Sequence, residues 1–196
     1  VELEKSKKEK GQCTRCGTWG VKGEECGNCF YWPQYFLRNY AAIPYEGKWR
    51  KTIHQLKFKN QGWLATPLAE LMILILGDQE LDLILPVPLH QERLRTRGFN
   101  QASLLGQEIA RIKGLAFNDR ILKRVVATAH QSGLSQRRRA SNVRNAFQID
   151  DVGILAGKKI LLVDDIMTSG ATLIECSKVL HRGGAKTVTA VTLGAG

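Results

Sequence analysis

The feature that most constrains this chain is one stretch, Ile160-Leu-Leu-Val-Asp164-Asp165-Ile-Met167-Thr168-Ser169-Gly170-Ala171-Thr172. Its four leading aliphatic residues, flanked by Lys158-Lys159 and by acids, are apolar on both faces, which predicts a strand buried on both sides. From Ala171 the apolar residues Leu173, Ile174, Cys176, Val179 and Leu180 recur with helical period until Gly183-Gly184 stops them. Asp164 and Asp165 therefore stand at the carboxyl end of a strand, and Thr168 to Thr172 at a helix amino terminus. In parallel α/β sheets that edge is where ligands bind. Successive N–H groups in such a turn, with hydroxyls beside them and the positive end of a helix dipole behind, suit a phosphate. Carboxylates beside a phosphate repel it unless they face something else; a sugar diol or a ligand-bound divalent cation resolves the conflict.

This stretch resembles the phosphoribosyl pyrophosphate (PRPP) signature of type I phosphoribosyltransferases: a hydrophobic strand, two acids, a variable pair and Thr/Ser-Gly-x-Thr. The resemblance implies that Asp164 and Asp165 contact the ribose hydroxyls and act as the catalytic pair. It also implies that Met167, Thr168, Ser169, Gly170, Ala171 and Thr172 hold the 5′-phosphate, and that magnesium accompanies PRPP.

Five cysteines occur, four of them as Cys13-Thr-Arg-Cys16 and Cys26-Gly-Asn-Cys29. Each Cys-x-x-Cys knuckle can present two thiolates to one tetrahedral ion, and nearby glycines free backbone N–H groups to donate to sulfur. A structural zinc held by Cys13, Cys16, Cys26 and Cys29 is the expectation; two disulfide-exchange sites are the competing reading. Paired cysteines of this kind suit a reducing cytoplasm. Cys176 falls on the apolar stripe of its helix and reads as core. Trp19, Phe30, Tyr31, Trp32, Tyr35, Phe36 and Tyr40 crowd this region. They suit packing of a small module against a larger domain, or a stacking surface for single-stranded nucleic acid.

The net charge of +11 biases the chain toward anionic partners, and it is concentrated. From His90 to Asn145 there are twelve Lys/Arg against three Asp/Glu, from Val1 to Asn60 twelve against six, and from Gln61 to Leu89 no base at all. A PRPP site alone does not require so much positive charge, and nucleic acid is the natural second ligand. No run of eighteen apolar residues occurs, so no membrane span is expected. The opening Val-Glu-Leu-Glu-Lys lacks a signal-peptide core, and the absent initiator Met suggests a trimmed product. The four histidines, His54, His90, His130 and His181, form no metal or triad spacing.

Taken in order, residues 1–11 read as a charged lead, and Ile43 to Gly47 as a strand end and turn. Lys48 to Lys59 reads as helical, and Thr66-Pro67 as the cap and first position of a helix Leu68 to Leu76. Leu81 to Val87 is a second buried strand, ended by Pro86-Val-Pro88-Leu89-His90. Arg93, Arg95 and Arg97 follow at alternate positions, and a helix from Asn100 to Lys113 stops at Gly114. Ile121 to Val126 and Thr187 to Leu193 read as strands, the first leading into a polar stretch, 128–147.

The order of cysteine pairs, Leu56-Lys57-Phe58, Pro86-Val-Pro-Leu89, Arg93-Leu-Arg-Thr-Arg97-Gly-Phe-Asn100-Gln101 and the terminal PRPP motif is similar to the ComF (ComFC) family of competence proteins. Gln131, Leu134, Ser135, Arg138 and Asn142 fit the same pattern. That family implies a zinc ribbon joined to a phosphoribosyltransferase-like domain and a role in uptake of transforming DNA. By type I precedent Pro88, Leu89 and His90 hold the pyrophosphate, Arg93 and Arg97 neutralise it, and Asn100 and Gln101 donate to it; alternatively the arginines are a solvated face or a nucleic-acid strip. The 128–147 stretch is the candidate mobile hood. Its Arg137, Arg138, Arg139 and Arg144, with Lys57, are the candidate nucleic-acid contacts, and simple solvated charge stands beside that reading.

The fold expected is α/β: a type I phosphoribosyltransferase-like, mostly parallel sheet flanked by helices over residues 41–196, after a four-cysteine zinc ribbon with its charged lead over 1–40. The function expected is a competence protein that binds single-stranded DNA and PRPP or a related phosphorylated sugar, with DNA-uptake proteins as partners, in the cytoplasm or at the inner face of the membrane through those partners. The alternative is an active phosphoribosyltransferase with an unidentified amine or base acceptor.

Overall fold

The computed structural model describes residues 11–21, 25–29, 32–56, 59–127 and 141–196. At its centre is β6 (Lys159–Met167), whose residues alternate between two hydrophobic cores. Ile160 and Leu162 enter the core on one face, Leu161 and Val163 the core on the other, and all four are fully buried. A strand apolar on both faces demands a layer over each. One layer is α1 (Gly47–Gln55), α2 (Ala65–Leu76) and α4 (Gln101–Lys113), which contribute Ile53, Leu68, Met72, Leu105 and Ile109. The other is α5 (Ala171–Arg182), with Leu173, Cys176 and Leu180, joined by the cysteine module.

The sheet has five strands in the order β1-β7-β6-β2-β3, all paired in parallel: β1 is Phe36–Pro44, β2 Leu83–Pro86, β3 Ala116–Phe117 and β7 Thr187–Ala195. A separate antiparallel pair joins β4 (Leu122–Arg124) to β5 (Phe147–Ile149). Helix α3 (Gln91–Arg97) follows β2. No described helix is long and apolar enough to cross a membrane.

Local chemistry explains where elements differ from the sequence reading. Strand β2 is shorter than Leu81 to Val87, and it tolerates Pro86 for a geometric reason. The Val87 N–H donates to Val163 O at 2.8 Å, so Pro86, one residue back, turns its donorless nitrogen to the other side. There β3 has already ended at Phe117. The helix expected from Leu68 begins at Ala65 instead, because Leu64 already has helical angles continuing the preceding turn. Thr66 is therefore not its cap; its hydroxyl donates to Glu108 on α4 at 3.0 Å. Pro67 still falls in the first turn, where N–H groups have no intrahelical acceptor. Arg93 to Arg97, alternating in the sequence, is helical, which changes which of these side chains share a face.

Strand β1 is an edge strand, and the first cysteine knuckle covers it. The Asn39 N–H donates to Arg15 O at 2.7 Å, the Gln12 side-chain amide donates to Ala41 O, and Arg38 donates to Thr14 O. Gly17, at φ +75°, allows the close approach, since a Cβ there would lie 2.9 Å from Ala41 Cβ. Covering the edge removes a row of unpaired backbone groups. The chain thus enters the sheet at Phe36, and a boundary drawn at residue 40 passes through β1. Asn39, 2% exposed, pins the junction: its Nδ2 donates to Cys16 O and to Thr192 Oγ1, each at 3.0 Å. Asn39→Ala should cost about 1–3 kcal/mol, because it strands a buried carbonyl and hydroxyl. An unfolding free energy from urea titration equal to that of the parent would contradict this account of the junction.

Candidate functional site

Strand order reverses between β6 and β2. From β2 the chain moves outward to β3, and from β6 it moves the other way to β7. The helices after the two strands lie on opposite faces, α4 on one and α5 on the other, so the loops leaving β2 and β6 diverge and open a crevice.

One lip is the stretch 164–172. Asp164 is half-buried, and its Oδ1 accepts the Asp165 N–H at 2.8 Å, while Asp165 is 7% exposed. Met167 turns its side chain into the core. Thr168 is exposed, Ser169, Ala171 and Thr172 are half-buried, and Ser169 Oγ accepts the Ala171 N–H at 3.5 Å. Gly170, at φ +73°, caps α5, and its carbonyl accepts the Ile174 N–H at 2.9 Å. Asp164 and residues 166–173 line a shallow cleft of about 30 Å³. The chemistry this lip offers is two carboxylates followed by a turn whose N–H groups begin a helix.

The other lip is wider. Pro88, Leu89 and His90 line a cavity of about 500 Å³ that extends to Asn100, Asp119 and β4. His90 caps α3, its Nδ1 accepting the Glu92 N–H at 3.4 Å, and Glu92 Oε2 lies 3.6 Å away. On that helix Arg93 and Arg97 are four apart, share a face and are half-buried, whereas Arg95 is exposed. Asn100 caps α4: Oδ1 accepts the Ala102 N–H at 3.1 Å and Nδ2 donates to Val87 O at 3.0 Å. Gln101 is buried and accepts a hydrogen bond from Arg97. Asn100 thus spends its side-chain atoms on holding the loop after β2 to α4, and the Gln101 carbonyl ties Arg97 to the same helix.

Arg124 is a candidate that sequence reasoning missed. It lines the wide cavity, sits 5.5 Å over the Phe147 ring, and lies close enough to Arg93 and Asp164 to feel both charges. Burial lowers its pKa, Arg93 lowers it further, and Cys176 and Asp164 oppose them. A guanidinium stays charged through such a shift and is an anion ligand. A Lys-Arg pair on a three-residue strand carried no signal that would have singled it out.

The four knuckle sulfurs lie within 4.8 Å of one another, with Cys13–Cys29, Cys16–Cys26 and Cys26–Cys29 separations of 3.6, 3.5 and 3.4 Å. Sulfurs around a tetrahedral zinc stand about 3.8 Å apart, so the set fits one such ion with no position left open. The N–H groups of Cys16 and Cys26 point at Cys13 Sγ from 3.4 and 3.3 Å. Burial raises the Cys13 thiol, but these donors and the Arg15 N–H outweigh it and bring it down to about 7. Burial dominates at Cys16, pushed up to about 11, and raises Cys29 as well. Buried sulfurs that resist ionisation alone become thiolates when a cation takes their protons' place. The described cysteines are all free of disulfides. Cys176 is fully buried, and burial, with Asp164 next, pushes its thiol well up, as expected of a core residue.

Among the aromatic residues described, Trp32 and Phe36 are buried, and Tyr35 stacks on His181 with centroids 4.4 Å apart. These rings pack the cysteine module onto the sheet. Arg144 is exposed beside Asn145, whose N–H donates to Glu175. Lys57, Arg137, Arg138 and Arg139 lie outside the described residues, as do Phe30, Tyr31, Phe58, Gln131, Leu134 and Ser135.

The phosphoribosyl transferase domain family matches residues 109–196. The chain is 35% identical over 188 residues to DNA utilization protein YhgH of Shigella flexneri, a match spanning 92% of this chain and 82% of that protein. It is 32% identical over 200 residues to competence protein F of Haemophilus influenzae, spanning 91% and 87%. To competence protein ComFC of Bacillus subtilis it is 26% identical over 193 residues, spanning 92% and 76%. With a type I phosphoribosyltransferase-like sheet and a four-cysteine cluster that fits a zinc ribbon, the chain belongs to the ComF family of competence proteins.

Proposed function

We propose that this protein handles single-stranded DNA during DNA uptake and binds PRPP, or a related phosphorylated sugar, in the crevice between β6 and β2. The observation that carries the reading is the pairing of lips across that crevice. On one side two adjacent carboxylates precede a helix-opening turn; on the other a proline-stiffened loop shares a cavity with Arg124 and runs into α3, which carries Arg93 and Arg97. A phosphorylated ribose with a pyrophosphate at its other end has the matching order of groups: hydroxyls for Asp164 and Asp165, a 5′-phosphate for Thr168 to Thr172, and a second anion for the arginines. Magnesium carried by the pyrophosphate would share the carboxylates. The DNA role is supported by the relatives' names as competence and DNA utilization proteins and by the +11 charge. Lys57, Arg137 to Arg139 and Arg144 are the proposed backbone contacts.

A second reading, a transferase, is favoured by the cavity of about 500 Å³ beside the pyrophosphate lip, which has room for more than an anion. In it the anomeric C–O bond of PRPP breaks, pyrophosphate leaves with the bonding pair, and an amine or base nitrogen forms the new C–N bond. Asp164 and Asp165 stabilise the positively charged sugar on the way. The acceptor then gives up its proton.

Calorimetry with PRPP and magnesium should show binding that weakens about tenfold or more in Asp164→Asn and in Asp165→Asn; equal affinity in all three proteins removes the site from this stretch. Pyrophosphate release across a panel of amines and bases separates the transferase from a binding protein. Single-stranded DNA affinity should fall steeply with salt, with a log–log slope of about −0.7 per phosphate neutralised. No binding at low ionic strength would leave the positive charge without the proposed partner. Metal analysis should find about one zinc per chain, lost in Cys26→Ser; a metal-free oxidised protein contradicts the ribbon.

A further inference from the structure

We infer that Trp32 is a positioning residue for the phosphate loop, so that the cysteine module sets how well Thr168 to Thr172 receives an anion; this rests on reading that loop as the phosphoribosyl site. The Trp32 ring is 7% exposed, lies 5.0 Å from the Phe36 ring, and covers Gly170. A Cβ added at Gly170 would stand 2.5 Å from Trp32 Cζ2. Glycine is thus demanded there twice, by φ +73° and by the indole behind it.

Both knuckles hold Trp32 in place. Its N–H donates to Cys29 O at 3.0 Å in the second knuckle. From the first knuckle, Arg15 donates to Trp32 O at 2.9 Å, Pro33 O at 3.3 Å and Cys29 O at 3.2 Å. The module that clusters four sulfurs therefore also fixes the wall of the turn. In the same turn Thr168 is exposed to solvent. A turn whose N–H groups must converge on an anion loses affinity if it has to be ordered at binding. A rigid aromatic wall supplies that order beforehand.

The test uses the full chain with its zinc, comparing hydrogen exchange of the 168–171 amides with PRPP affinity. Trp32→Ala should raise exchange at those amides and weaken PRPP, each about tenfold. Trp32→Phe should stay near the parent in both, because it restores an aromatic wall. Gly170→Ala should weaken PRPP more in the parent than in the Trp32→Ala background, where the space behind the turn is open. Stripping zinc with a chelator should raise exchange at the same amides, although the four sulfurs lie on a different element.

Unchanged exchange at 168–171 in Trp32→Ala, or strictly additive effects of Gly170→Ala and Trp32→Ala, would overturn the inference. Should Trp32→Ala fail to fold, the chelated parent and Trp32→Phe still decide it. If the parent binds no PRPP, the phosphoribosyl reading fails, while the exchange measurements continue to judge the wall.

Discussion

Everything here hangs on the pairing of β6 with a strand on each side. Its aliphatic residues are buried on both faces, and its backbone is bonded to β7 and to β2. Such a strand can exist only at the centre of a covered sheet, since any exposed face would return those side chains to water. Two helical layers follow, then loops that leave neighbouring strands toward opposite faces, then a crevice. The acids stand at that crevice because the run apolar on both faces ends at Val163, and Asp164 is the first residue after it to come partly into reach of water.

The cysteine module is built into this arrangement rather than tethered to it. It covers the free edge of β1, and through Trp32 it backs the turn after β6. A module this small holds little apolar matter, so its stability depends on the surface it lies on and on any ion its four sulfurs take up. The buried Asn39 bonds reach from the knuckle to β7, so strain in one part is felt in the other. In this protein the sulfur cluster and the turn after β6 share a wall.

Much of the candidate site's local geometry was legible in advance because it is local. Residues 160–172 carry strand, acids, turn and helix start in one unbroken stretch, and the cysteine spacing states its own chemistry. The helix end at Gly114, in the left-handed conformation, was marked by its glycine. What was misplaced shows the limit of local rules. Thr66 has the residue type of a cap, yet Leu64 already continued a helical turn, and Glu108 on another helix claimed the hydroxyl. Three arginines at alternate positions look like one strip, but helical winding turns Arg95 away from Arg93 and Arg97.

By itself the sequence determined the kinds of chemistry present: a two-faced strand, adjacent carboxylates before a glycine turn, and four thiols at metal spacing. Those follow from side-chain type and short-range period, which need no partner. Only the tertiary structure decided which distant groups meet them. Arg124 comes within reach of the charges of Arg93 and Asp164, Asn100 is consumed in shaping the loop after β2, and Trp32 rests on Gly170. These are contacts across the sheet and between layers. They depend on strand order and on how the module docks, and no residue's neighbours in sequence carry that information.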